Sequence, residues 1–183
     1  MANGTLKVQN IETSSGSGTI TLGQSGETLA LGASNISGFG KIGQVKQTVK
    51  DDAFTTTSGT PVDITGLSVD ITPSSTSSKI LVSVHIGTHD LTAAATYGYI
   101  LKRGTTSIGV GTGDGTASTM AGTQNADRGE GQSMMFLDSP ASTDSQTYKL
   151  QAYVFSATLS INDRQGNADY STISTITVQE VLP

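Results

Sequence analysis

The sequence predicts an all-β protein, an antiparallel sandwich or barrel of eight to ten strands with almost no α-helix. Three observations lead there. Residues 79–88, KILVSVHIGT, place Ile80, Val82, Val84 and Ile86 on one face of an extended chain, the period of two expected of a strand with one buried side. Glycine alone supplies 22 of 183 residues and Ser and Thr are abundant, a composition of short strands and tight turns. Helix formers never cluster, and the longest such run, Leu91-Thr92-Ala93-Ala94-Ala95, is too short to form a helix.

In chain order, residues 1–42 carry three short alternating phrases, Gly4-Thr5-Leu6-Lys7-Val8, Gly18-Thr19-Ile20-Thr21-Leu22 and Glu27-Thr28-Leu29-Ala30-Leu31, separated by glycine- and serine-rich turns. Each offers two or three apolar residues, too few to bury a core alone, so the segment is expected to act as a stalk or attachment module supported by identical neighbours. Gly38-Phe39-Gly40-Lys41-Ile42-Gly43 marks a joint, and residues 43–183 form the main domain. There, strands are expected at 44–49, 62–72, 79–88, 97–103, 106–110, 132–137, 146–155, 158–161 and 173–182. In 62–72 the alternation slips at Gly66, the sign of a β-bulge, and Gly104 punctuates a turn. Residues 111–131 hold six glycines and few apolar side chains, and read as one long exposed loop.

Composition also bounds partners. Hydrophobic residues make up 34% of the chain and Trp is absent, which points to a fold that buries part of its surface between subunits, as a homotrimer. A formal net charge of −5 argues against nucleic acid. Zero cysteines exclude disulfides and thiolate metal sites. No apolar run has the length of a membrane span, and MANGTLKV has neither the basic nor the apolar region of a signal peptide, so a soluble protein without membrane insertion is expected.

The residues that invite chemistry are few. His85, His89 and Asp90 have metal-ligand types, and four-residue spacing on a strand would turn both histidines to one face. A third or fourth ligand is not evident, and no metal, cofactor or catalytic residue is assigned. Gly109-Val110-Gly111-Thr112-Gly113-Asp114-Gly115 lacks the following helix that a phosphate loop requires. Asp114, Asp127, Arg128 and Glu130 are the charges of the long loop and are expected at an exposed tip that meets a host surface or a neighbouring protein. In 146–155, Tyr148, Leu150, Ala152 and Val154 form a core face. The opposite face carries Tyr153 and Phe155, which suit a subunit interface or a position beneath a loop.

The phrase GTLKVQNIETSSGSGTITLGQSGETLALGAS at 4–34 resembles the N-terminal segment of fibre and structural proteins of marine bacteriophages, cyanophages in particular. Ile71-Thr72-Pro73-Ser74-Ser75-Thr76-Ser77-Ser78-Lys79-Ile80-Leu81-Val82, Phe136-Leu137-Asp138-Ser139-Pro140, Thr147-Tyr148-Lys149-Leu150-Gln151 and Ser174-Thr175-Ile176-Thr177-Val178-Gln179-Glu180-Val181 resemble the jelly-roll module that follows in such proteins, similar to trimeric domains of complement and tumour-necrosis-factor type. The resemblance implies a homotrimeric, non-enzymatic virion protein, a tail fibre or a capsid fibre or decoration. It would be made in the host cytoplasm, bind other virion proteins through 1–42, and display a jelly roll for host adhesion. A carbohydrate-binding or carbohydrate-active tail protein is the alternative. An enzyme would degrade host polysaccharide, whereas a lectin would need an aromatic platform, for which this chain has only tyrosines.

Overall fold

Strands account for the core, and their order follows from which faces are apolar. The computed structural model describes residues 42–113, 115–164 and 170–183, and the expected attachment segment lies outside these except for Ile42. The described strands are β1 Ile42–Lys50, β2 Phe54–Thr56, β3 Val62–Ile71, β4 Lys79–Leu91, β5 Ala95–Arg103, β6 Thr106–Ser107, β7 Met120–Gln124, β8 Glu130–Asp138, β9 Gln146–Val154, β10 Leu159–Ile161 and β11 Ser174–Val181. No α-helix occurs among the described residues.

The first sheet runs β1-β11-β4, with β8 on the other side of β4, while β10 and β2 continue from the last residues of β4. The second runs β3-β9-β5, with β7 and the short β6 also paired to β5. All described pairs are antiparallel, and the chain crosses from one sheet to the other between β2 and β3, β3 and β4, β4 and β5, β7 and β8, β8 and β9, and β9 and β10. An eight-strand frame of β1-β11-β4-β8 facing β3-β9-β5-β7 is a sandwich of jelly-roll-like order.

The core lies between the sheets. Ile80, Val82, Val84 and Ile86 of β4 are at most 2% exposed, as the alternation requires. Each such side chain stabilises the fold by about 1.5–3 kcal/mol on burial. They meet Ile176 and Val178 of β11, Leu67, Val69 and Ile71 of β3, Tyr97, Tyr99 and Leu101 of β5, and Tyr148, Leu150, Ala152 and Val154 of β9 in one cluster. The slip in β3 is a bulge: Gly66 has a φ of +82°, inside the register shift between Asp63 and Ser68.

Two expectations need correction, and one strand was not anticipated. β2 was not legible, because three residues cannot display a period. Residues 111–131 are not one loop: β7 pairs with β5 from Tyr99↔Met120 to Ala95↔Gln124, and β8 begins at Glu130. The backbone partner on β5 outweighs the low apolar content of MAGTQ. Finally, His85 and His89 do not share a face. The β4–β8 register shifts between Ile86 and His89, so His85 points outward while His89 is fully buried.

Candidate assembly face and loop-end pocket

The two outward sheet faces differ in chemistry. On the first sheet the register aligns three rows across β1, β11, β4 and β8: Val45, Gln179, Leu81, Leu137; Gln47, Thr177, Ser83, Met135; and Val49, Thr175, His85, Ser133. None of these residues is an acid, lysine or arginine. Val45, Val49, Met135 and Leu137 are 53, 50, 69 and 46% exposed. The polar members partly satisfy one another, Gln47 Nε2 donating to Thr177 Oγ1 at 2.8 Å and His85 Nδ1 lying 2.9 Å from Ser133 Oγ. A shallow depression of about 350 Å³ lies among Ser83, His85, Ser133, Met135, Thr175 and Thr177. The second sheet instead turns Asp63, Asp70, Lys102 and Lys149 outward. Lys149 Nζ sits 2.7 Å from Asp63, which also accepts from Gln151 at 2.7 Å. Hydrogen bonds from Lys149 and Gln151 hold the Asp63 carboxyl below its usual value despite partial desolvation. That is an ordinary solvated face.

At one end of the sandwich, β4 brings Asp90 to a fully buried position where the rest of the end is organised around it. Its Oδ1 accepts from the backbone N–H groups of Leu91 at 2.8 Å and Arg128 at 2.9 Å, and its Oδ2 lies 3.6 Å from Arg164 Nε. Asn162, with φ of 66°, ties three segments together. It donates through Nδ2 to the Lys50 and Asp52 carbonyls, accepts from Ser174 Oγ at 2.6 Å, and its backbone bonds Thr88 and Thr172. A left-handed Asn is tolerated where its side chain bonds locally. Between these anchors opens a pocket of about 260 Å³ lined by Thr88, Asp127, Gly129, Arg164, Tyr170, Ser171 and Thr172. Arg164 lies over the Tyr170 ring, 5.1 Å from its centroid, and 3.9 Å from Asp127 Oδ1.

The expected site residues divide accordingly. Asp127 lines the pocket, and Arg128 is anchored beside it by its backbone. Glu130 opens β8 opposite His89. Asp114 lies outside the described residues. Between Gly113 and Asp127 the chain runs through β7, about 13 Å of strand. Tyr153 is 3% exposed inside its own chain. Its ring lies across Gly98, where a Cβ would come within 2.5 Å of it, and its hydroxyl is 2.8 Å from Ser118 Oγ. Phe155, 44% exposed, packs against it with the rings tilted by 57° and their centroids 5.3 Å apart. Arg164 reads in the sequence as an isolated loop charge and Tyr170 and Thr172 carry no signal there, because the pocket they line joins residues far apart in the chain.

Among the described residues, no group of three or more His, Cys, Asp or Glu side chains is placed to hold a metal. His89 packs against Tyr97 at 4.5 Å and Tyr99 at 5.9 Å between ring centroids. Burial pushes its imidazole below the usual value, partly opposed by Glu130, Gln124 and Asp90.

No protein-family model matches the chain, and no curated protein sequence does. Among solved structures, a mutant VP2 protein of infectious bursal disease virus in T=1 particles is similar to 76% of this chain at 11% identity and a TM-score of 0.37. The structure of the Gx strain of the same virus is similar to 86% at 13% identity and a TM-score of 0.36. The matches span 36% and 42% of those chains, so this chain covers less than half of their length. At these TM-scores the likeness carries no functional argument, and function is read from the chain's own surfaces.

Proposed function

We propose that the chain is a non-enzymatic virion structural protein that assembles with copies of itself, three to a unit, through the outer face of the first sheet. It serves as a tail fibre or a capsid fibre or decoration, held to other virion proteins by residues 1–42, with the sandwich turned towards the host. The resemblance in sequence supports the virion role, and the uncharged sheet face is the observation that carries assembly. Interface cores are depleted of charge and enriched in Met, and this face has both properties while the opposite sheet has neither. A second copy is the occupant that fits. Copies bearing a net charge of −5 repel, and contact between uncharged faces brings no like charges together at short range. Four strands about 4.8 Å apart carrying three rows about 6.7 Å apart give roughly 400 Å² of face. A trimer in which each copy divides this face between two neighbours buries roughly 1,200 Å² in all.

Sedimentation of the full chain tests this. An oligomer at micromolar concentration is expected, with Met135→Glu monomeric but still cooperatively folded, because Met135 is already 69% exposed. Burying the new charge unpaired would cost about 3 kcal/mol or more. Thr123→Glu on the second sheet should assemble normally. A monomeric wild type would overturn the assembly mode, and absence of the chain from purified particles of the virus that encodes it would overturn the virion role.

A further inference from the structure

β8 has a free edge with the make-up of an internal strand. It pairs with β4 on one side only, and from Gln132 to Asp138 that register is unbroken. Native sheets blunt a free edge with lysine, proline, a bulge or brevity. β3 has the bulge at Gly66, β7 is five residues long and β1 carries Lys46 and Lys50. β8 has no Lys, Arg or Pro along its nine residues. The backbone bonds of the segment before β7 run elsewhere, Gly111 N–H to the Ser118 carbonyl and Thr119 N–H to that of Tyr99. The side chains along β8 are also incompletely covered. Met134 and Phe136 point to the core yet are only partly buried, while Met135 and Leu137 on the other face are 69 and 46% exposed. A strand added here would pair the edge and cover apolar surface on both of its faces.

We propose that β1 of a second copy pairs with this edge, and that three such pairings close the assembly into a ring. This contact rests on the threefold assembly proposed above and names the strands that make it. Each of β1, β11, β4 and β8 is antiparallel to the next, so the two outer strands of the row, β1 and β8, run in opposite directions. Copies related by a threefold axis along the strands therefore set β8 antiparallel to the next copy's β1, the same kind of ladder as every described pair. Charge selects β1 over a second β8. The charges of β8 are Glu130 and Asp138 at its ends, whereas those of β1 are Lys46 and Lys50. Two antiparallel β8 strands would set Glu130 against Asp138, and like charges opposite one another destabilise a ladder. The dimensions close as well. Four strands about 4.8 Å apart make each side of a triangular ring about 19 Å wide, which puts each sheet about 5.5 Å from the axis. That is close to half of the ~10 Å at which two sheets pack face to face, so the uncharged outer rows fill the centre. A head-to-tail contact of this kind forms a closed ring when each step turns by a third of a circle.

The chain has no cysteine, so introduced thiols report the pairing without background. Where the rows continue across the junction, Gln47 of one copy lies opposite Met135 of the next. In the full chain, Gln47→Cys is combined with Ser133→Cys, Met135→Cys or Leu137→Cys, which covers that register and a slip of two residues either way. All four positions are exposed, and residues opposite one another in a ladder have the Cα spacing that a disulfide needs. After mild oxidation at least one double variant should run as covalent dimer and trimer on a non-reducing gel, and every single variant as monomer. A wild type that sediments as a trimer while no double variant cross-links would overturn the β8–β1 contact and leave the threefold assembly standing. Cross-linking by a single variant would place like strands together and overturn the contact too. A wild type that sediments as a monomer would overturn both.

Discussion

Asp138 serves two partners with one oxygen: Oδ2 accepts from Arg103 Nη1 and from the Tyr148 hydroxyl, each at 2.7 Å, in a place where Asp138 is 6% exposed. Burial and the carboxylate beside it push the Tyr148 phenol well above its ordinary value, so it stays a donor. Asp138→Ala would leave a partly buried guanidinium and a buried hydroxyl unmatched, a loss of about 3–5 kcal/mol in urea denaturation. Tyr148→Phe removes only one bond and should cost about 1 kcal/mol. Glu180 is a second buried carboxylate. Burial alone would raise its pKa, but Ser74 N–H and Oγ at 2.6 and 2.7 Å and Gln44 Nε2 at 2.8 Å outweigh that and hold it at about 2. Its contribution is complete above about pH 4.5 and disappears as pH falls towards 2. His89 acts at higher pH. The folded chain resists a proton that the unfolded chain accepts near 6.5, so stability declines as pH drops below that value. His89→Phe keeps the aromatic packing against Tyr97 and Tyr99 and removes the titration. Melting curves between pH 7.5 and 5 should then lose much of their slope; a slope equal to the wild type's would show that other groups dominate.

At the scale of the element, periodic strands were legible and irregular ones were not. β4 announced itself because four β-branched residues alternate without interruption, and β9 because Tyr148, Leu150, Ala152 and Val154 do the same. Gly66 revealed its bulge through the phase of its neighbours. β7 carried no such pattern, since Met120-Ala121-Gly122-Thr123-Gln124 is a strand only because β5 supplies its ladder. The second slip, between Ile86 and His89, was hidden because Gly87 and Thr88 fit either phase. It separates the histidines, and it also brings Asp90 to the loop end where Arg128 and Arg164 converge. The pocket was therefore illegible for a geometrical reason: its residues come from β4, the β7–β8 turn and the β10–β11 connection. Gly66→Ala tests the bulge. Space is open there, with only Lys50 Nζ within 4 Å, but φ of +82° disfavours a Cβ. A loss of about 1–2 kcal/mol is expected, and no loss would mean that the bulge can relax.

The sandwich closes by joining its first and last described strands. β1 pairs with β11 from Ile42↔Val181 to Lys50↔Ser174, so the first and last described strands lie side by side. Topology of this kind rests on long-range contacts and folds slowly, in milliseconds to seconds. It also means that β1 cannot be trimmed without stripping β11 of its partner. The assembly face lies within the same ladder, its three rows running from β1 to β8. A fragment of residues 42–183 is thus expected to unfold cooperatively in urea and to assemble at micromolar concentration, with Met135→Glu abolishing assembly in the fragment as in the full chain. Particle attachment should be lost, because the segment proposed to make it is gone. An aggregated or unfolded fragment would show that residues 1–41 share the core. A folded but monomeric fragment, beside an oligomeric full chain, would move the main contacts between copies from the sheet face to the N-terminal strands.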